Sequence, residues 1–138
     1  MSTLLPAVQL FTLREYTQTE ADLATTFKRV REEMDCDVVQ LSRIGERIPA
    51  DFITNLCKEY DMTICVTHTP MERIFNDLSQ VIKEHKAWGC NAVGLGNLDA
   101  SYIDEGYDGY VRFLKDMEPV IAELKANDMV FAYHSHTY

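Results

Sequence analysis

Short apolar runs punctuate this chain at intervals of about 30 residues, and between them the apolar positions switch to a helical period. Four of the runs share one layout: "MDCDVVQL" from Met34, "YDMTICVT" from Tyr60, "WGCNAVGL" from Trp88 and "NDMVFAYH" from Asn127. In each, a helix-like segment ends, Asp or Gly follows, then Cys or Met, then the apolar run. A fifth run, "AVQLFTL" from Ala7, opens the series. The interval is roughly the length of one strand-plus-helix unit with its loops.

The intervening segments carry one apolar face each. In "TQTEADLATTFKRVREEM", Leu23, Phe27, Val30 and Met34 share a face, and Thr17 with Glu20 offers a capping box. "PADFITNLCKEY" starts with Pro in a first turn and groups Phe52, Ile53, Leu56 and Tyr60. "MERIFNDLSQVIKEHKAWG" runs through Ile74, Leu78, Val81 and Ile82 and stops at Gly89, a carboxyl cap. "YVRFLKDMEPVIAELKAND" groups Val111, Leu114, Met117, Ile121 and Leu124, with Pro119 predicting a kink or a break. Strands separated by helices run parallel with right-handed crossovers, and runs apolar on both faces fit a sheet covered by helices. The expected class is α/β, about five strands and four helices in one domain over residues 1–138. Either an open doubly wound sheet or part of a (β/α)8 barrel satisfies this order. No GxGxxG or GxxxxGK[ST] follows a strand, and "GLGNLD" at 94–99 reads as a turn.

Charge narrows the partners. A formal net charge of −9 and a pI near 4.8 argue against nucleic acid or an anionic membrane, although a local basic spot could hold a small phosphorylated ligand. "MSTLLPAVQLF" has neither the basic start nor the long apolar run of a signal peptide, and no apolar run approaches a membrane span. Cys36, Cys57, Cys65 and Cys90 show no CxxC or zinc-type spacing; buried reduced thiols in a cytoplasmic protein are the expectation.

In parallel α/β folds the site lies beyond the carboxyl ends of the strands. His68 closes the third run ("ICVTHTP"), and His134 and His136 close the fifth. His85 alone lies elsewhere, in "KEHKAWG", and is expected to be solvated on a charged helix face. Alternation puts His134 and His136 on one face with Val130 and Ala132. Gln9 and Gln40 are polar residues within apolar runs, so each needs a partner or faces a cavity. A strand histidine often has a purely structural role, and each glutamine could equally serve a sheet edge. Arg14, Arg43 and Arg47 follow the first two runs and could hold an anionic group, with surface solvation the ordinary alternative. "DASYIDEGYDGY" (99–110) is expected to be a solvated loop anchored by tyrosine, and a candidate lid.

Taken in order, "VQLFTLRE", "VVQLSRIG", "VTHTP", "KAWGCNAVGLG" and "FAYHSHTY" resemble the sugar phosphate isomerase/epimerase family of xylose isomerase-like TIM barrels. The resemblance covers the whole chain. It implies a (β/α)8 barrel with a divalent metal (Mn, Mg, Co or Zn) at the carboxyl-end pole. It also implies proton abstraction next to the carbonyl of a sugar, sugar phosphate or cyclitol. Gln9, Gln40 and His68 would then orient substrate hydroxyls, His134 would be a metal or substrate ligand, and His136 a ligand or catalytic proton shuttle. In the family's epimerases the metal is held by carboxylates and a histidine from strands five to eight, and His134 falls about where the strand-five carboxylate would stand. Many relatives carry His-Asn-His followed soon by an acidic residue, whereas here Ser135 is in the middle and the chain reaches Tyr138 without one.

Such barrels take about 250 residues, so the expectation is the N-terminal half of one, ending within the fifth strand and inactive alone. The alternative is a non-catalytic half-barrel that binds or assembles. A DNA-repair endonuclease on the related barrel fits an acidic chain poorly. Five strands cannot close in the usual way. Phe11, Val38, Val66 and Val130 would then face water, so a folded chain is expected to be a homo-oligomer or to be bound to the rest of its barrel.

Overall fold

Every junction in the repeat is a left-handed turn. Asp35, Asp61, Gly89 and Asp128 have φ of 51°, 51°, 67° and 58°. The residue after each, Cys36, Met62, Cys90 or Met129, is buried, with exposure between 2% and 6%. Their N–H groups return to the carbonyls of Val30, Cys57, His85 and Leu124, which closes the end of the preceding helix. The chain thus leaves a helix, reverses through one residue, plugs a sulfur-bearing side chain into the core and starts a strand. Glycine adopts this backbone freely, and aspartate is among the residues that tolerate it.

The computed structural model describes residues 6–136. Its elements are β1 (Val8–Gln9), a 3-10 segment (Leu10–Tyr16), α1 (Glu20–Glu33), β2 (Val38–Leu41), α2 (Ala50–Glu59), β3 (Thr63–Thr67), α3 (Met71–Asn76), α4 (Leu78–Trp88), β4 (Ala92–Leu95), α5 (Ala100–Ile103), α6 (Gly106–Ala126) and β5 (Val130–Tyr133). The strands are parallel and form two small sheets, β1-β2-β3 and β4-β5, with no closed barrel. Between them the Thr69 N–H donates to the Gly94 carbonyl at 2.7 Å. Among the described residues no helix is long and apolar enough to cross a membrane.

The core divides into two clusters on the helix side of the strands. One joins Leu23, Phe27 and Val30 of α1 to Val39 and Leu41 of β2, Ile53 and Leu56 of α2, and Ile64 of β3. The other joins Val81 and Ile82 of α4 to Val93 and Leu95 of β4, and Phe113, Met117 and Leu124 of α6. The opposite side of the strands is open: Phe11 is 42% and Val130 57% exposed, while Val38 and Val66 are half-buried. Both outer edges, β1 and β5, are paired on one side only.

One irregularity matters for the site. The β2–β3 register pairs Val39 with Ile64 but Gln40 with Val66, leaving Cys65 as an extra residue. An unbroken strand would put Ile64 and Thr67 on opposite faces; the bulge turns both toward the helices, and both are buried.

Several expectations need correction. The first run is a strand only at Val8–Gln9; it then tightens, burying Leu10 and turning Phe11 outward, and Arg14 and Gln18 satisfy the Phe11 and Arg14 carbonyls. Thr19, not Thr17, caps α1, accepting the Asp22 N–H at 3.1 Å, while Thr17 is buried in the turn against Gly45. Met34 lies past the end of α1 and is 58% exposed. The third helical segment breaks at Asp77 into α3 and α4, with Arg73 of α3 paired to Glu84 of α4 at 3.0 Å. In α6 the buried face is Phe113, Met117, Val120 and Leu124, whereas Val111, Leu114 and Ile121 are 48%, 63% and 42% exposed. Pro119 does not break α6; it sits on the exposed side, and burial of its neighbours offsets one lost hydrogen bond. The 99–110 segment is mostly helical, and its anchor is Tyr102, whose hydroxyl donates to Asp116 at 2.8 Å. Cys36 and Cys90 are buried as expected, but the bulge leaves Cys65 exposed.

Candidate functional site

Beyond the carboxyl ends of the strands lies a cavity of about 650 Å³. Gln9 and Phe11 form one side, His68, Thr69, Pro70 and Met71 the floor after β3, and the Leu95–Asp99 turn with His134 and His136 the other side. The turn after each strand brings these side chains together, because parallel strands end at one pole.

Three of the five candidate residues form a single group. The rings of His68 and His134 lie 5.2 Å apart, and those of His134 and His136 are stacked at 4.7 Å and 19°. Gln40 does not line the cavity but supports it, since its Nε2 meets His68 Nε2 at 2.5 Å. An amide nitrogen only donates, so this His68 nitrogen accepts and the ring is neutral, with its proton on Nδ1. Burial pushes the His68 pKa below its ordinary value, and the neighbouring His134 and His136 push it the same way. His136 Nε2 lies 2.8 Å from the Gly96 carbonyl. Gly96 is small for a reason: a β-carbon there would stand 2.7 Å from His68 Nδ1. Gln9 lines the same cavity from β1.

Of the three arginines, Arg43 reaches the cavity, while Arg14 and Arg47 line an adjoining depression with Gln18 and Glu46. Arg14 lies over the Phe11 ring at 4.7 Å. Asp99 is the part of the 99–110 segment that meets the cavity. Its carboxyl is held below the usual range by hydrogen bonds from Ser101.

His85 overturns the solvated reading. It is 1% exposed on α4, its Nδ1 2.7 Å from the Val81 carbonyl and its Nε2 2.8 Å from the Thr67 hydroxyl. Burial holds its pKa below the ordinary value, against the opposing pull of the Val81 carbonyl and Glu84, with Arg73 adding to the decrease. The signal was present in the spacing, since His85 follows Val81 by four residues and Ile82 by three, on the buried face of the helix. Thr67, Thr69 and Gly96 were also missed: the bulge hides the first two from an alternation argument, and "GLGNLD" reads as a turn yet forms a wall.

The donor set for a metal is incomplete here. Among the described residues no group of three His, Cys, Asp or Glu side chains could hold a cation. The Nε2 atoms of His68 and His136 already have protein neighbours at hydrogen-bond distance.

Solved structures place this architecture. A sugar phosphate isomerase/epimerase from Parabacteroides distasonis superposes with a TM-score of 0.74 at 13% identity, over 99% of this chain and 52% of that one. The fold is that of part of a (β/α)8 barrel. An L-ribulose 3-epimerase matches with a TM-score of 0.66 at 12% identity, over 94% of this chain and 48% of that one. An AP endonuclease of family 2 from Brucella melitensis matches at 0.64 and 14%, over 94% and 55%. The chain therefore spans about half the length of the solved structures it matches. No protein-family model and no curated protein matches the sequence.

Proposed function

We propose that this chain supplies one side of a sugar-binding pocket in an isomerase- or epimerase-like barrel, acting on a sugar or sugar phosphate by proton transfer next to its carbonyl. The observation that carries the reading is the convergence of His68, His134, His136 and Gln9 on one cavity at the carboxyl-end pole. Of the three fold neighbours described above, two are named for sugar isomerisation or epimerisation, which supports the same substrate class. The third is named an endonuclease, but a net charge of −9 opposes a polyanionic ligand.

In this reading Gln9 and the Gln40–His68 pair orient substrate hydroxyls, and His134 and His136 hold or move a proton at the reacting end. Epimerisation calls for an acid and a base with tuned pKa values. Of that machinery His68 is held neutral by Gln40 and by burial, which leaves His134 and His136 as the groups to exchange a proton. A divalent metal, His134 its expected ligand, would polarise the carbonyl; the described residues do not complete its shell. That incomplete set favours a second reading, a half-barrel that binds sugar without turning it over.

Calorimetric titration with L-ribulose, D-fructose and their phosphates, with and without Mn²⁺, tests the proposal. Binding weakened at least about tenfold by His134→Ala or His136→Ala is expected, each removing a polar ligand contact. No binding by the native chain, or binding that both variants leave intact, would refute it. Turnover by the native chain would dismiss the second reading.

The same reading has the open face of the strands covered by a second copy. Phe11 at 42% and Val130 at 57% exposure lie beside half-paired edges at β1 and β5, the features that promote association. Sedimentation at micromolar concentration should give a dimer or larger species. A stable monomer that melts cooperatively and binds no hydrophobic dye would contradict it.

A further inference from the structure

The strand-end cavity connects to the buried core through three side chains whose hydrogen-bond directions can be assigned. His85 Nδ1 lies 2.7 Å from the Val81 carbonyl, which can only accept, so Nδ1 carries the ring proton. The ring is neutral, because burial disfavours its charged form. Nε2 is therefore an acceptor, and the Thr67 hydroxyl 2.8 Å away must donate to it. A hydroxyl has one proton, so in the 2.9 Å contact between Thr67 and Thr69 it is Thr69 that donates. Thr69, 6% exposed and part of the cavity wall, has then used its proton behind the wall. It can offer only lone pairs to whatever fills the cavity.

We propose that Thr69 Oγ1 is a specificity-determining acceptor for a hydroxyl group of the ligand, with Thr67 and His85 as the residues that fix its direction. This rests on the pocket being a sugar site and adds what it selects: a hydroxyl at this position, rather than a carbonyl, ether or phosphate oxygen. The β3 bulge is the structural cause, since it turns Thr67 toward α4 and so puts its hydroxyl within reach of His85.

The test has two parts on the full chain. Nitrogen-15 spectra should show His85 with a pyrrole-like Nδ1 and a pyridine-like Nε2 at neutral pH; the opposite tautomer overturns the proposal without any ligand. Calorimetry with L-ribulose and D-fructose follows, on native protein, Thr69→Val and Thr69→Ser, with folding checked by amide spectra. Thr69→Val should weaken binding roughly tenfold and Thr69→Ser should restore it, the change expected for one hydrogen bond with a buried partner. Native binding that Thr69→Val leaves unchanged overturns the Thr69 assignment alone. Absence of native binding to either ketose overturns both it and the sugar reading.

Discussion

The two faces of the same strands differ in kind. Toward the helices, Val39, Ile64 and Val93 are between 0% and 2% exposed and meet Phe27, Ile53 and Met117 in closed cores. On the other side, Phe11 and Val130 are exposed, and the polar residues Gln9, Gln40, His68, His134 and His136 are gathered toward the strand ends. His85 and His68 restate the contrast in one residue type. Each is kept from protonating by burial, yet His85 is fixed within the core by Val81 and Thr67, whereas His68 meets the cavity. The helix side holds the fold together, and the open side leaves its apolar residues uncovered and its polar ones near the strand ends.

Paired truncations of two phenylalanines should break the symmetry most strongly. Phe27→Ala removes a fully buried ring from the first cluster and should lower stability by about 3–5 kcal/mol. Phe11→Ala, on the open side, should lower it by no more than about 1 kcal/mol in the dissociated chain, at concentrations below association. Urea midpoints measure both, and equal losses would mean the open side is as closed as the other. Gly96→Ala comes next, forcing a methyl to within 2.7 Å of His68 Nδ1. An overpacking cost of about 1–3 kcal/mol is expected, together with altered His68 ring resonances; an unchanged histidine spectrum would refute the close approach.

Acid should act through the buried histidine. Above its ordinary value of 6.5, His85 is neutral folded or unfolded. As the pH falls below that value, the unfolded chain takes up a proton that the folded chain refuses, so stability declines until the lowered folded pKa is passed. His68 acts in the same direction. His85→Gln should flatten part of this slope below about pH 6.5, and a slope identical to the native one would exclude His85 as a source. The smallest effect belongs to the left-handed turns. Gly89→Ala has open space around it but φ of 67°, so about 1 kcal/mol of backbone strain is expected. Asp61→Gly, at φ of 51°, should be neutral or slightly stabilising.

The repeat was readable because each left-handed turn favours Asp or Gly and the buried residue after it is Cys or Met in every case, which leaves the same pair of residue types in the sequence. The pole at which the candidate site gathers was readable too, since His68 and His134 follow their strands directly and His136 comes two residues later. The face of α6 was not. Val111, Leu114 and Ile121 are as apolar as the buried set, and only the position of the sheet decides between Val111 and Phe113. Nor was the role of Thr67, because a one-residue bulge reverses strand alternation without any mark in composition.

The division between the two faces is tested most directly by the ring resonances of all four histidines during titration with a ketose. His68, His134 and His136 should shift together and saturate at one ligand concentration, with His85 moving little, because it is 1% exposed and bonded within the core. Movement of His85 alone, or no movement of the other three while binding heat is released, would contradict the account.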